Sequence, residues 1–193
     1  EMADADGIRT ETVIINDDVA VKDSTWTSGR RGVAGSFFLN KLAGAKAETG
    51  ADLDEVKALA EKAVENIRTM GAAISPCTVP AAGKPGFEIG EDEIEIGMGV
   101  HGEPGTYRDK MKSANEIADI LLDKILADID FYGREVAVMV NSSGATPLME
   151  LYIINNRIHD YLTSKGISIY RTFCGEFMTS IDMAGFSITL LRL

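Results

Sequence analysis

One segment of the sequence places a histidine where its ring nitrogen could act on a small molecule. Acidic and apolar side chains alternate over residues 93–96, and this alternation predicts a strand with one wet and one buried face. His101 follows this strand among small residues, and Gly102 and the Pro104–Gly105 pair predict a turn. We therefore expect the His101 imidazole to be reachable from solvent. Since the ordinary pKa of a histidine is about 6.5, we expect the ring to be mostly neutral and nucleophilic at cytoplasmic pH.

Two further segments are candidates for binding an anion. The Arg30–Arg31 pair lies between glycines and is either an anion-binding turn or a solvated one. The polar loop 141–147 leads into a helix, with Thr146 as the expected N-cap and Pro147 as the first helical residue. Backbone amides at such a helix start attract anions, although most strand-to-helix turns bind nothing. For His101 too, the alternative is an ordinary surface histidine without a function.

Composition and charge exclude several functional classes. The 193 residues are 45% hydrophobic and 25% charged, as in a globular protein, and the net charge of -11 disfavours nucleic acid and anionic membrane surfaces as partners. Neither a signal-peptide pattern nor an apolar run of about 20 residues occurs, so we expect no membrane partner and a cytoplasmic location. Cys77 and Cys174 lack further ligands at metal-site spacing, so we expect buried thiols and no metal site.

Apolar periodicity predicts strands and helices in alternation along the chain. The expected strands are residues 12–15, 72–79, 93–96, 135–141, 167–174 and 187–193, the first of them buried on both faces. The expected helices are 33–47, 52–70, 113–129 and 146–166. Capping boxes open the second and third helices, at Asp52 with Glu55 and at Ser113 with Glu116. This order of elements predicts an α/β sandwich with a mixed sheet.

Six motifs, in the same order along nearly the whole chain, carry a family resemblance. They are DDVAV (17–21), GRRGVA (29–34), CTVPAAGKP (77–85), GVHGEPG (99–105), GATPL (144–148) and MAGFSIT (183–189). Together they resemble the dihydroxyacetone-binding subunit of dihydroxyacetone kinase.

The resemblance implies that the substrate is captured covalently. In that family the histidine that matches His101 attacks the carbonyl carbon of dihydroxyacetone and forms a hemiaminal, and a terminal hydroxyl is then phosphorylated. The expected catalytic residue is therefore His101, and the expected substrate-binding residues are His101, Gly102 and Glu103. We expect the distal ring nitrogen to attack while the other is held by a hydrogen bond that involves the Glu103 segment. A protein that forms a bond with the carbonyl carbon discriminates a ketone from glycerol better than one that recognises the shape of the molecule alone.

The same resemblance sets the expected domains. Residues 1–70 are expected to be the C-terminal part of a first, Rossmann-like α/β domain, and residues 71–193 a mixed-sheet α/β sandwich domain that carries His101. The family's acid-base histidine and aspartate belong to parts of the first domain that are not in this sequence. We therefore expect this polypeptide alone to be a poor catalyst.

The family also suggests the partners. The sequence has neither a Walker loop nor a dinucleotide fingerprint, so we expect ADP or ATP with magnesium to be held by a partner subunit or domain. By resemblance this donor subunit carries ADP that is rephosphorylated through the phosphoenolpyruvate phosphotransferase system, and the chain forms a homodimer. The alternative function is a non-catalytic relative that senses dihydroxyacetone and acts as coactivator of a transcriptional regulator.

Overall fold

The structure, a computed structural model, describes residues 2–22, 29–101, 103 and 105–193. The helices are α1 (Met2–Ala5), α2 (Ser36–Glu48), α3 (Leu53–Asn66), α4 (Ala114–Asp128) and α5 (Leu148–Ser164). The strands are β1 (Ile67–Ala73), β2 (Glu93–Ile96), β3 (Tyr107–Lys110), β4 (Glu135–Ser142), β5 (Ser168–Gly175) and β6 (Gly185–Arg192).

The strands form a single mixed sheet in the order β3-β2-β1-β6-β4-β5. Among the described strands the β4–β5 pair is parallel, and the pairs β1–β2, β2–β3, β1–β6 and β4–β6 are antiparallel. At the centre, Thr69 of β1 lies opposite Thr189 of β6, and their buried hydroxyls are 2.8 Å apart. The sheet therefore joins distant parts of the chain at its middle.

Helices cover both faces of the sheet. Side chains alternate along β4, so that Val136, Val138 and Val140 face α4 and α5, while Ala137 and Met139 face α2 and α3. The larger core also contains the apolar sides of α4 and α5, and Phe131 is buried within it. These three layers confirm the predicted α/β sandwich with a mixed sheet.

The two predicted capping boxes are confirmed. Asp52 accepts a hydrogen bond from the Glu55 amide at 2.9 Å, and the Glu55 carboxylate accepts one from the Asp52 amide at 3.1 Å. Ser113 and Glu116 make the same reciprocal pair at the start of α4. Each pair satisfies two amides that the first turn of a helix leaves without partners, so both helices begin where the sequence predicts.

The strand predicted for residues 12–15 is wrong. This segment has no regular structure, and the Ile14 side chain is 77% exposed. A strand needs a hydrogen-bonded neighbour, and this segment precedes the short contact with β1, in which the Thr69 backbone bonds to Asp17 and Val19 on either side of the isolated bridge at Asp18. The apolar run therefore lacks the partner strand that the prediction assumed among the described residues.

The boundary between the second helix and the following strand is also corrected. Helix α3 ends at Asn66, so Ile67 and Met70 are buried residues of β1, and β1 replaces the strand predicted at 72–79. Spacing by three or four residues fits a helix stripe, but pairing with β6 over seven residues favours the strand. Strand β3 was not predicted. The expected division between residues 70 and 71 falls within β1, and the two-domain organisation stays a prediction.

Asp128, at the end of α4, joins three parts of the chain, and its removal is expected to destabilise the fold. It accepts two hydrogen bonds from Arg30, at 2.8 and 2.9 Å, and one from Arg68 of β1. The Arg30 guanidinium holds the pKa of Asp128 below its ordinary value; burial opposes this and Arg68 adds to it. The contribution of these ion pairs to the free energy of unfolding is therefore present above the unfolded pKa of about 3.9, and it is lost as the pH falls through the lower folded pKa.

We expect Asp128→Ala to lower the free energy of unfolding by about 1–3 kcal/mol at pH 7, because two half-buried cations lose their shared acceptor. The deficit should shrink towards pH 3. Urea denaturation at both pH values measures it, with the exposed Asp160→Ala on α5 as the control. A deficit that is equal at both pH values would contradict the ion-pair origin.

Candidate functional site

His101 lies in the loop that follows β2, and its side chain is 81% exposed, which confirms the predicted accessibility. Its Nδ1 lies 3.1 Å from Oε1 of Glu103, and its backbone amide donates to Oε2 of Glu103 at 3.0 Å. Gly102 lies outside the described residues. Since a carboxylate accepts and does not donate, the geometry favours the tautomer with the proton on Nδ1 and a lone pair on Nε2.

Glu103 is ionised beside the imidazole. Its side chain is only 14% exposed, and burial opposes ionisation. The hydrogen bonds from its own backbone and from the ring and amide of His101 outweigh burial, so the pKa of Glu103 lies below its ordinary value. The carboxylate therefore fixes both the backbone and the ring of His101 near neutral pH.

Both ends of the loop are fastened to the sheet. Where β2 ends, Gly97 has a φ of 84°, and its amide donates to the Gly71 carbonyl of β1 at 2.7 Å. At the other end, the Gly105 amide donates to Oε1 of Glu95 at 2.9 Å. Glu95 was predicted on a wet face, but it is buried because its second oxygen accepts from Arg108 of β3 at 2.7 Å. Through these two contacts, Glu95 is part of the frame that holds the His101 loop.

The motifs 17–21 and 29–34 meet beneath this loop. Buried Asp17 accepts from the amides of Val33 and Gly35, at 2.8 and 2.7 Å, and so holds the start of α2. Asp18 pairs with Arg31, and both are buried. The solvated turn considered for the Arg30–Arg31 pair is therefore wrong for Arg31. Sequence reasoning missed these pairings, although an Asp pair and an Arg pair close together in the chain could have indicated them.

Behind the loop the protein is closely packed. A cavity of about 10 Å³ lies there between Gly71, Met98, Gly99 and Val100. Such a volume holds about one water molecule. The open space next to the His101 ring is therefore on the solvent side of the loop, where the ring is exposed.

The second candidate segment, the loop 141–147, has its side chains bonded to the chain itself. The Thr146 hydroxyl donates to the Gly185 carbonyl at 2.7 Å and accepts from the Gly185 amide at 3.0 Å. Thr146 is therefore not the N-cap; that position belongs to Pro147, and α5 begins one residue later than predicted. Asn141 is likewise bonded to the backbone of Phe177 and Met178. These contacts give the loop a structural role, and anion binding there stays a prediction.

The remaining titratable groups form no further centre in the described part of the chain. There, no group of three or more His, Cys, Asp and Glu side chains is placed to hold a metal ion. Cys77 is buried as predicted, whereas Cys174 is only half-buried, and burial raises the pKa of its thiol. None of the helices described has the length and apolar character that crossing a bilayer requires.

Comparison with known proteins identifies relatives along the whole chain. A family model described as the Dak1 domain matches residues 1–193. A protein of Listeria innocua named PTS-dependent dihydroxyacetone kinase 1, dihydroxyacetone-binding subunit DhaK, is 49% identical over 194 residues, which cover 100% of this chain and 59% of that protein. The chain thus spans less than two thirds of this relative's length.

Two solved structures share the fold closely. The dihydroxyacetone kinase operon co-activator Dha-DhaQ superposes with a TM-score of 0.91 at 34% identity, covering 99% of this chain and 59% of that one. The native dihydroxyacetone kinase of C. freundii superposes with a TM-score of 0.88 at 31% identity, covering 100% of this chain and 34% of that one. The chain belongs to the Dak1 domain family.

Proposed function

We propose that this chain captures dihydroxyacetone through a covalent bond between His101 and the ketone's carbonyl carbon. The observation that carries the proposal is the exposed His101 ring, whose Nδ1 faces the Glu103 carboxylate while Nε2 has no hydrogen-bond partner among the described residues. A neutral ring nitrogen that faces solvent is a competent nucleophile. The resemblance of the 99–105 motif and the name of the Listeria relative supply the substrate.

The capture step balances as an addition. The Nε2 lone pair forms the new N–C bond while the carbonyl π pair moves to oxygen, and the resulting alkoxide takes a proton from water, so the ring keeps its Nδ1 proton and carries one positive charge. The positive charge that develops on the ring lies beside the Glu103 carboxylate, which stabilises it. No atom leaves, so the protein gains the full mass of one dihydroxyacetone molecule. Glycerol has no carbonyl and cannot react in this way.

We place this capture in a kinase reaction. Relatives of the chain carry the names of dihydroxyacetone, L-erythrulose and 3,4-dihydroxy-2-butanone kinases, all of which act on hydroxyketones by name. A terminal hydroxyl of the captured ketone would then accept a phosphoryl group. Since the sequence lacks a Walker loop, we assign ADP or ATP with magnesium to a partner subunit or domain. Phosphoenolpyruvate dependence through such a partner, and a homodimer, belong to the same proposal.

Dihydroxyacetone labelled with ¹³C at its carbonyl tests the capture. Mixed with the full-length protein, it should show a protein-bound tetrahedral carbon in place of part of the ketone signal, and intact mass spectrometry should show one added molecule. Labelled glycerol is the control and should give neither signal. A bound ketone whose carbon stays trigonal would refute covalent capture.

A second function, coactivation of a transcriptional regulator, is supported by the likeness to the co-activator Dha-DhaQ. Covalent capture is expected in both cases and does not separate them. Phosphoryl transfer does: a kinase subunit turns over labelled dihydroxyacetone when its donor subunit is added, and a sensor does not. The 49% identity to the Listeria kinase subunit favours the kinase.

Replacing Glu103 with Gln is expected to weaken the adduct about tenfold, because the neutral amide cannot balance the charge on the ring and its single oxygen accepts from only one of the two His101 N–H groups. Since the pKa of Glu103 is lowered, the carboxylate persists above its ordinary pKa of about 4.3 and is lost only as the pH falls through the lower folded value. The gap between wild type and variant should therefore be constant from pH 7.5 to 8.5, above the ordinary pKa of both a carboxyl and an imidazole, as titrated by the ¹³C signal. An adduct as strong as in wild type would show that the charge has no role.

A further inference from the structure

The buried pair of Asp18 and Arg31 lies beneath the loop that carries His101. The side chains are 2% and 7% exposed, and both Nε and Nη2 of Arg31 lie 2.7 Å from Oδ2 of Asp18. The other carboxylate oxygen accepts from the Ala20 amide at 2.8 Å. Asp18 thus anchors the guanidinium with one oxygen and is itself anchored through the other.

From this anchor the guanidinium reaches the loop. Nη2 of Arg31 donates to the Gly97 carbonyl at 2.8 Å, at the residue where the chain leaves β2. Its Nη1 lies against Gly99: a Cβ added there would be 3.0 Å from Nη1 and would also collide with the Glu103 carboxylate. The Gly99 amide in turn donates to the Glu103 carbonyl at 3.2 Å. Arg31 therefore contacts the start of this segment at Gly97 and Gly99, and Gly99 is bonded to Glu103, whose carboxylate holds the His101 ring.

We propose that Arg31 is a positioning residue for the covalent capture. Held by Asp18, it fixes the backbone at Gly97 and Gly99, and Glu103, which is bonded to Gly99, in turn orients the imidazole. This proposal rests on the proposed reaction of His101 with a ketone. A planar guanidinium suits the task because its fixed fork serves a carboxylate and a carbonyl together, which a lysine ammonium does not.

The cost of burying the pair points to a role other than stability. Desolvation of a buried ion pair offsets much of its attraction, so apolar side chains at these positions would stabilise the fold equally well. Burial raises the pKa of the Asp18 carboxyl to about 6, although the charge of Arg31 opposes this. A variant without the guanidinium therefore leaves a carboxyl that takes up a proton readily, and we expect such a variant to fold.

The neighbouring Arg30 provides a matched control. It too is paired with an aspartate, but its partner is Asp128 at the end of α4, and in the described part of the chain no hydrogen bond joins Arg30 to the His101 loop. Arg30→Lys and Arg31→Lys make the same chemical change one residue apart. Asp18→Asn is a second variant, because it keeps the shape of the anchor and removes its charge.

The test compares these variants in the full-length protein, below their unfolding temperatures. We expect Arg31→Lys to weaken the ¹³C-detected dihydroxyacetone adduct at least tenfold and to speed amide exchange in residues 97–103, with Asp18→Asn acting in the same direction. Arg30→Lys should leave both quantities at wild-type values. Wild-type adduct affinity and exchange in Arg31→Lys, or equal losses in Arg30→Lys, would overturn the positioning role.

The two proposals fail in different ways. If wild-type protein gives no tetrahedral carbon, covalent capture is wrong, and amide exchange alone then decides whether Arg31 orders the loop. If wild type gives the adduct and Arg31→Lys gives it equally well, capture stands and the role of Arg31 is wrong.

Discussion

His101→Asn is expected to abolish the proposed dihydroxyacetone adduct and to lower kcat/KM of the proposed kinase assembly roughly a thousandfold or more. Asparagine is of similar size and polar, but its amide nitrogen is not a nucleophile. The ring is exposed, so the substitution removes no packing from the core, and the melting temperature should stay within about 2 °C of wild type. The ¹³C spectrum and intact mass report the adduct, and turnover reports its consequence.

His159→Asn is the matched control, since it changes the second histidine of the sequence. This residue lies on α5 with its side chain largely exposed, beside Asp160. It should keep both the adduct and turnover. An adduct that persists in His101→Asn, or disappears equally in His159→Asn, would show that another group attacks the carbonyl.

Gly105→Ala is expected to have the second largest effect, because it deforms the frame of the loop. A Cβ at this position would overlap the Ile96 carbonyl, which accepts from the Thr106 amide at 2.7 Å, and would press on the Glu95 carboxylate. The backbone has to move to relieve the overlap, and overpacking of this kind costs about 1–3 kcal/mol. We expect the free energy of unfolding to fall by that amount and the adduct to weaken more than tenfold.

The control is Gly44→Ala, within α2, where an added Cβ meets open space. Alanine in a helix interior should raise the free energy of unfolding by about 0.5–1 kcal/mol and leave the adduct unchanged. Urea titration gives the stabilities, and the ¹³C signal of the folded protein gives the affinities. Wild-type adduct strength in Gly105→Ala would mean that the loop tolerates displacement and that its frame does not determine the orientation of the His101 ring.

Features that depend on neighbours in the chain could be predicted from the sequence. The capping boxes at Asp52 and Ser113 need only a partner three residues away, so their pattern sufficed. His101 was found for a similar reason, because a strand followed by glycines and a proline indicates an accessible turn. Gly102, the third expected site residue, lies outside the described residues, and the roles assigned to all three stay predictions.

Features that depend on partners far away in the chain could not be predicted from the sequence. Glu95 has the polarity of a solvent-facing strand residue, and only its contacts with Gly105 and Arg108 make burial favourable. The run at 12–15 has strand propensity but lacks a pairing partner among the described residues. Long-range pairing thus overrode local propensity in both cases.

The position of β6 has a consequence for how the molecule is made. This strand comes last among the elements described, yet it lies between β1 and β4, and its Thr189 bonds to a residue 120 positions earlier. During synthesis on the ribosome, the segments β1–β3 and β4–β5 emerge first and cannot form one continuous hydrogen-bonded sheet without it. Such non-local closure is slow, and it leaves the β1 and β4 edges on the nascent chain unpaired, and so open to wrong pairing and aggregation, until β6 arrives.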